Sequence, residues 1–219
     1  MASIIELLPE LNVAFFETLL MVGIALLVAI FIGLPLGIVL YVTDKGLFLE
    51  NSWIKGIVGV VINLIRSIPF IILLVFLLPF TQWLVGETIG PLAASVSLSV
   101  AAIPFYARIV ESAAREVDKG VIEAAIAVGA SPWMIIKDII FPEAKPGLIS
   151  GLTITAISLI GYSAMAGTIG GGGIGDLAIR YGYYRYDDTV MFTTVILLIV
   201  LVQFIQYLGD FIAKTVNKK

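Results

Sequence analysis

The chain has 219 residues, 60% of them hydrophobic and 13% charged, with a net charge of −3 and a mean hydropathy of +1.08. That composition excludes an ordinary water-soluble globular domain. Cysteine and histidine are absent, which excludes disulfides, the usual zinc sites and Cys or His nucleophiles and bases on this chain, and no basic patch points to nucleic acid.

The opening stretch MASIIELLPELN carries no Lys or Arg before its first apolar run, unlike the positive n-region of a secretory signal, so the first helix is expected to be retained. Apolar runs near 13–42, 57–80, 89–110, 147–168 and 189–212 each approach or exceed the roughly 20 residues that a helix needs to cross a bilayer. The fold class they predict is an all-α membrane protein of about five transmembrane helices. In the first run Pro35 lies between Gly33 and Gly37, and the run is longer than one bilayer thickness, predicting tilt, a kink or an extension into water. Glu17 and Arg66 lie close to span ends, where long side chains reach water.

Orientation follows from charge. Segments 43–56, 108–146 and 213–219 together with Arg66 hold 11 of the 13 basic residues, leaving Arg180 and Arg185 on the other side. The basic side is cytoplasmic, so the N-terminus is expected outside and the tail VNKK inside. Trp83 and the tyrosines at 181, 183, 184 and 186 suit the two interfaces as anchors. The outside segment GTIGGGGIGD lacks the GK[ST] ending of a nucleotide loop, and its glycines suit a turn or close packing. No repeat is evident at a scale of 20–50 residues, against an inverted-repeat transporter.

Between the third and fourth runs lies ESAAREVDKGVIEAAIAVGASPWMIIKDIIFPEAKPG, too polar to cross a membrane but apolar at helical spacing. It predicts two helices outside the bilayer. The first stops near Gly129, Ser131 caps the second with Pro132 at its first position, and Pro142 ends it.

This segment resembles the EAA loop of ABC importer permeases, which runs Glu-Ala-Ala, three residues, Gly, nine residues, Ile, one residue, Leu-Pro. Here it reads Glu123-Ala124-Ala125, Gly129, Ile139, Phe141-Pro142, with Phe141 in place of the usual Leu. The resemblance implies a type I importer permease, one membrane domain over 1–219 with a cytoplasmic coupling segment at about 111–146. Glu123, Ala124, Ala125, Gly129, Ile139 and Pro142 would couple it to a separate ATPase. The stretches NLIRSIPFIILL, LPLGIVLYVT, GYSAMAG and YGYYRYDDTVM look like methionine importer permeases in particular.

From that resemblance follow a multi-pass location in a bacterial cell membrane, a homodimer, two cytoplasmic ABC ATPase subunits and an extracytoplasmic substrate-binding protein or lipoprotein. ATP and Mg would sit on the ATPase, with no cofactor and no catalytic residue on this chain. Met165, with a flexible thioether among Ala164, Ala166 and Gly167, is a candidate gate residue, and Tyr162 and Ser163 are candidate polar neighbours in the pathway. The alternatives are a polar amino-acid permease, a multi-pass membrane enzyme for which Asp176 and the pair Asp187-Asp188 would be the acids, and a passive channel.

Overall fold

The computed structural model describes residues 4–217, with side chains from residue 7. The first residues of MASII, and the two final lysines of the tail, lie outside the described part.

Helix α1 runs Ile4–Val28, continues through a π-helical turn, Ala29–Gly33, and then through Leu34–Val42. Pro35 stands one residue beyond that turn, after Leu34. A proline donates no hydrogen bond and crowds the carbonyl four residues back, and the widened π turn absorbs this without breaking the helix. Gly33 and Gly37 then face the middle helix of the bundle: a Cβ on Gly33 would stand 2.8 Å from the Ile103 carbonyl oxygen, and one on Gly37 2.5 Å from that of Ala107. Two backbones approach this closely only through small residues, the usual adhesive of helices in lipid.

Helix α2 (Ser52–Ser67) starts on an Asn51 cap, whose side-chain oxygen accepts from the Trp53 and Ile54 amides at 3.1 Å. The expected single span at 57–80 is corrected here. The chain bends by 102° between α2 and α3 (Phe70–Phe76), because Ile68, preceding Pro69, is held extended at φ −84°, ψ 124° as residues before proline generally are. A short helix α4 (Leu78–Val85) follows and closes on Gly86.

Helix α5 (Pro91–Arg115) is the axis of the bundle, packed against α1, α2 and the two helices around it. Residues 93–99 are buried without interruption. Helix α6 (Lys119–Ala127) begins on Asp118, which accepts from the Gly120 amide at 2.6 Å.

Helix α7 comprises Pro132–Met134, a π turn Ile135–Ile140, and Phe141–Gly167, 36 residues in one rod and so about 54 Å long. This corrects the reading of Pro142 as a terminator: the π turn just before it absorbs the proline's missing donor, as the turn before Pro35 does in α1. The coupling segment therefore ends in no loop; its second helix and the fourth membrane span are one element.

A glycine-rich turn leads to α8 (Gly173–Leu177, continued by a π turn, Ala178–Tyr183), and α9 (Asp188–Val216) packs along α7. Four helices are long and apolar enough to cross a membrane, and the bent α2–α3 pair brings the number to five if it is one broken span. The described residues contain no β-strand.

Candidate functional site

The hairpin α6–α7 is built by its termini. Gly129 has φ +82°, its amide donates to the Ile126 carbonyl at 2.9 Å, and the Ala130 amide reaches back to the Ala125 carbonyl at 3.0 Å. This paired closure of a helix end requires a left-handed residue, the conformation that costs glycine least. Ser131 then opens α7, its hydroxyl accepting from the Met134 amide at 3.4 Å, with Pro132 in the first turn. Both turn residues read from the sequence stand where expected.

One face of the hairpin is anchored. Ile122, Ile135 and Ile140 join Ala114 and Val117 in the core, and Ala125, Ala130, Ile136 and Ile139 pack partly against it. The opposite face is open: Glu123, Ala124, Gly129 and Pro142 are exposed, together with Ile126, Val121, Met134, Val128 at 85% and Trp133 at 69%. Of the six residues of the motif, the structure thus puts Glu123, Ala124, Gly129 and Pro142 on the surface and leaves Ala125 and Ile139 half-buried as its support. A cluster of large apolar side chains at the tip of a segment too polar for lipid makes this a candidate docking surface.

Beneath the hairpin lies a charge cluster that spacing alone did not reveal. Glu111, only 5% exposed, accepts from Arg108 at 2.7 Å, Arg115 at 2.8 Å and Lys55 at 3.2 Å. Asp44, in the turn after α1, accepts from Lys55 at 2.8 Å and also pairs with Arg115. The Lys55 ammonium, with Arg115 adding to it, holds the Asp44 carboxyl well below the usual carboxylate range against the opposing effect of burial. Three cations surround two carboxylates, so the cluster ties the α1–α2 turn, α2 and the last turns of α5 together where the hairpin departs. Only the i, i+3 and i, i+4 spacing of Arg108, Glu111 and Arg115 was legible as a pattern; Asp44 and Lys55 arrive through the fold.

At the other end of α7, Tyr162 stacks on Phe70 with ring centroids 4.7 Å apart. Met165, one turn on, is 43% exposed. Ser163 points elsewhere, 2% exposed, its hydroxyl donating to the Ile160 carbonyl at 2.8 Å. The structure therefore groups Tyr162 with Met165 on one face and packs Ser163 inside the bundle. The glycine-rich turn folds onto α1: the Gly173 amide donates to Glu17 at 2.7 Å and the Ile174 amide to Thr18 at 3.0 Å. Glu17, expected to reach water, instead holds this turn. Asp176 pairs with Arg180 at 2.5 Å, which raises the guanidinium's pKa, and Asp187 caps α9. Tyr183, Tyr184 and Tyr186 are exposed, and Arg185 lies over the ring of Tyr181 at 4.4 Å.

Four long apolar helices, the bent α2–α3 pair and a helical hairpin with an exposed apolar tip define a multi-pass membrane protein. Residues 33–219 match the family described as binding-protein-dependent transport system inner membrane component. The chain belongs to that family. It is 49% identical over 206 residues, 94% of its length and 92% of the relative's, to a probable D-methionine transport system permease protein of Vibrio cholerae. It is 47% identical over 180 residues, 82% of its length and 81% of the relative's, to a methionine import system permease protein of Bacillus subtilis. Its fold superposes with a TM-score of 0.96 on a chain of the MetNI methionine ABC transporter solved in inward-facing conformations, at 45% identity and 100% coverage of both. A chain of an amino acid ABC transporter with histidines shares the fold at a TM-score of 0.79 and 19% identity, covering 98% of this chain and 100% of that one.

Proposed function

We propose that this chain is the permease subunit of an ATP-driven methionine importer, a single membrane domain over 1–219 that works as a homodimer on two ATPase subunits and receives solute from a binding protein. The observation that carries the reading is near-full-length likeness, at about half identity, to permeases named for methionine or D-methionine. The chain itself is non-catalytic in this reading. ATP and Mg belong to the ATPase, and the acids that would have served a membrane enzyme, Asp176 and Asp187, are engaged in an ion pair and a helix cap.

The mechanism follows from α7. ATP binding draws the ATPase subunits together, and the exposed tip around Glu123, Ala124, Gly129 and Trp133 rides in a groove of the ATPase, a helix-in-groove contact. Ala125 and Ile139 support the hairpin from the core side, and exposed Pro142 flanks its docking face. Because α7 is one rod from Pro132 to Gly167, displacement at the hairpin arrives at Tyr162 and Met165, where an unbranched thioether can fill or clear a narrow passage. Moving such a passage from 1:99 to 99:1 takes about 5.5 kcal/mol of differential binding, which a firmly docked hairpin can transmit. Ser163 supports the wall from behind. The N-terminus is outside and the C-terminus cytoplasmic in a bacterial cell membrane.

The test is uptake of labelled L-methionine by cells lacking their own importer, expressing this chain with its ATPase and binding protein. Saturable uptake that disappears with an ATPase-dead partner, and that methionine competes better than other amino acids, is the expected outcome. ATP-driven uptake of a polar amino acid instead would discard methionine and keep the permease.

A further inference from the structure

Where the α2–α3 span breaks, a cleft of about 190 Å³ opens between the bend, α5 and α7, with Arg66, Phe70, Leu73, Ala101, Phe105 and Tyr162 on its walls. Arg66 stands in the last turn of α2. Its side chain is exposed at the mouth of the cleft rather than packed into the bundle. Among the described residues the Arg66 guanidinium has no ion-pair or side-chain hydrogen-bond partner, and the Tyr162 hydroxyl has none either. The contrast with Arg108 is sharp. That side chain is satisfied by Glu111 at 2.7 Å and Asn63 at 2.8 Å, one turn of α2 before Arg66.

An exposed guanidinium with no protein partner is free to meet an anion that enters the cleft. No acidic side chain lines the cleft, and the remaining walls are aliphatic and aromatic. We propose that Arg66 is a transient binding residue of the translocation pathway, holding the carboxylate of an apolar amino acid while Phe70, Phe105 and Tyr162 receive its side chain. This rests on the amino-acid permease reading and adds the chemistry of its passage. A planar guanidinium binds a carboxylate through two parallel hydrogen bonds. An unbranched thioether side chain suits a wall of aromatic edges. The Tyr162 hydroxyl can accept from the solute ammonium, so both charged ends of the solute find a partner between one cation and one phenol.

The chain has no cysteine of its own, so Ala101→Cys places a single thiol of this chain on the cleft wall. The experiment measures its alkylation in the purified complex with the ATPase, with Arg66 intact, as L-methionine is added. Methionine slows alkylation, its methyl ester does so at least tenfold less well, and Arg66→Met in the same background removes the protection while Arg66→Lys keeps part of it. Equal protection by acid and ester, or none by either in a complex that imports methionine, overturns the proposal. Protection by added phosphatidylglycerol rather than methionine also overturns it, assigning Arg66 to a lipid headgroup. If Arg66→Met fails to assemble, the comparison of acid with ester on the Arg66-containing protein still decides. A complex that imports a different amino acid and is protected by that solute rejects methionine while keeping the site; a complex without ATP-driven uptake rejects the permease reading itself.

Discussion

Gly129 and Glu111 are single residues on which the hairpin depends for different reasons. Gly129 holds a left-handed φ in open space, with nothing within 4 Å of where a Cβ would stand. Gly129→Ala therefore adds only backbone strain, about 1 kcal/mol, whereas Gly129→Asp also puts a charge on the exposed face. The aspartate is expected to cut ATPase co-purification roughly tenfold or more, with membrane insertion unchanged and alanine intermediate. Glu111 is buried among three cations, so Glu111→Ala leaves like charges facing one another, and the purified protein should lose about 2–3 kcal/mol of stability, read as a lowered unfolding temperature. The Asp44 carboxyl titrates below its unfolded range. Its contribution is fully present above the unfolded carboxylate pKa of about 3.9 and is lost as pH falls below that toward the folded value. Asp44→Asn should accordingly lower the unfolding temperature equally at pH 7 and pH 5 and progressively less below about pH 4.

At the scale of elements, α7 joins coupling hairpin and pathway without a hinge. Pro142→Ala should leave assembly and transport close to the parent, because the π turn Ile135–Ile140 already accommodates the ring. Replacing Ala144 and Lys145 together by glycine costs about 1 kcal/mol per residue in helix stability and softens the rod between hairpin and pathway. The double variant is expected to hydrolyse ATP while importing several-fold less solute per ATP; unchanged coupling would reject the lever. The bent α2–α3 span makes the complementary point: a break, not a rod, is what brings Arg66, Phe70 and Tyr162 to one cleft.

For the whole molecule, orientation is the prediction that remains to be measured. A reporter fused after Lys219 should label from the cytoplasmic side and one before Met1 from outside, and the reverse result would reject the charge-based topology. The sequence by itself determined the membrane class, the long apolar helices and the hairpin's turn chemistry. Those rest on local quantities, apolar run length, the φ preference of Gly129 and the capping ability of Ser131, which no distant contact has to supply. The motif residues were legible in the same way, by spacing along one helix pair. The tertiary structure alone decided that Pro142 lies within a helix and that Ile68–Pro69 breaks one. A proline's effect depends on whether a π turn or a neighbouring helix absorbs the missing hydrogen bond. Equally beyond sequence was the meeting of Asp44, Lys55 and Glu111, and of Arg66 with Tyr162, since residues separated by 56 positions in one case and 96 in the other become neighbours only when α5 and α7 close against the first two spans.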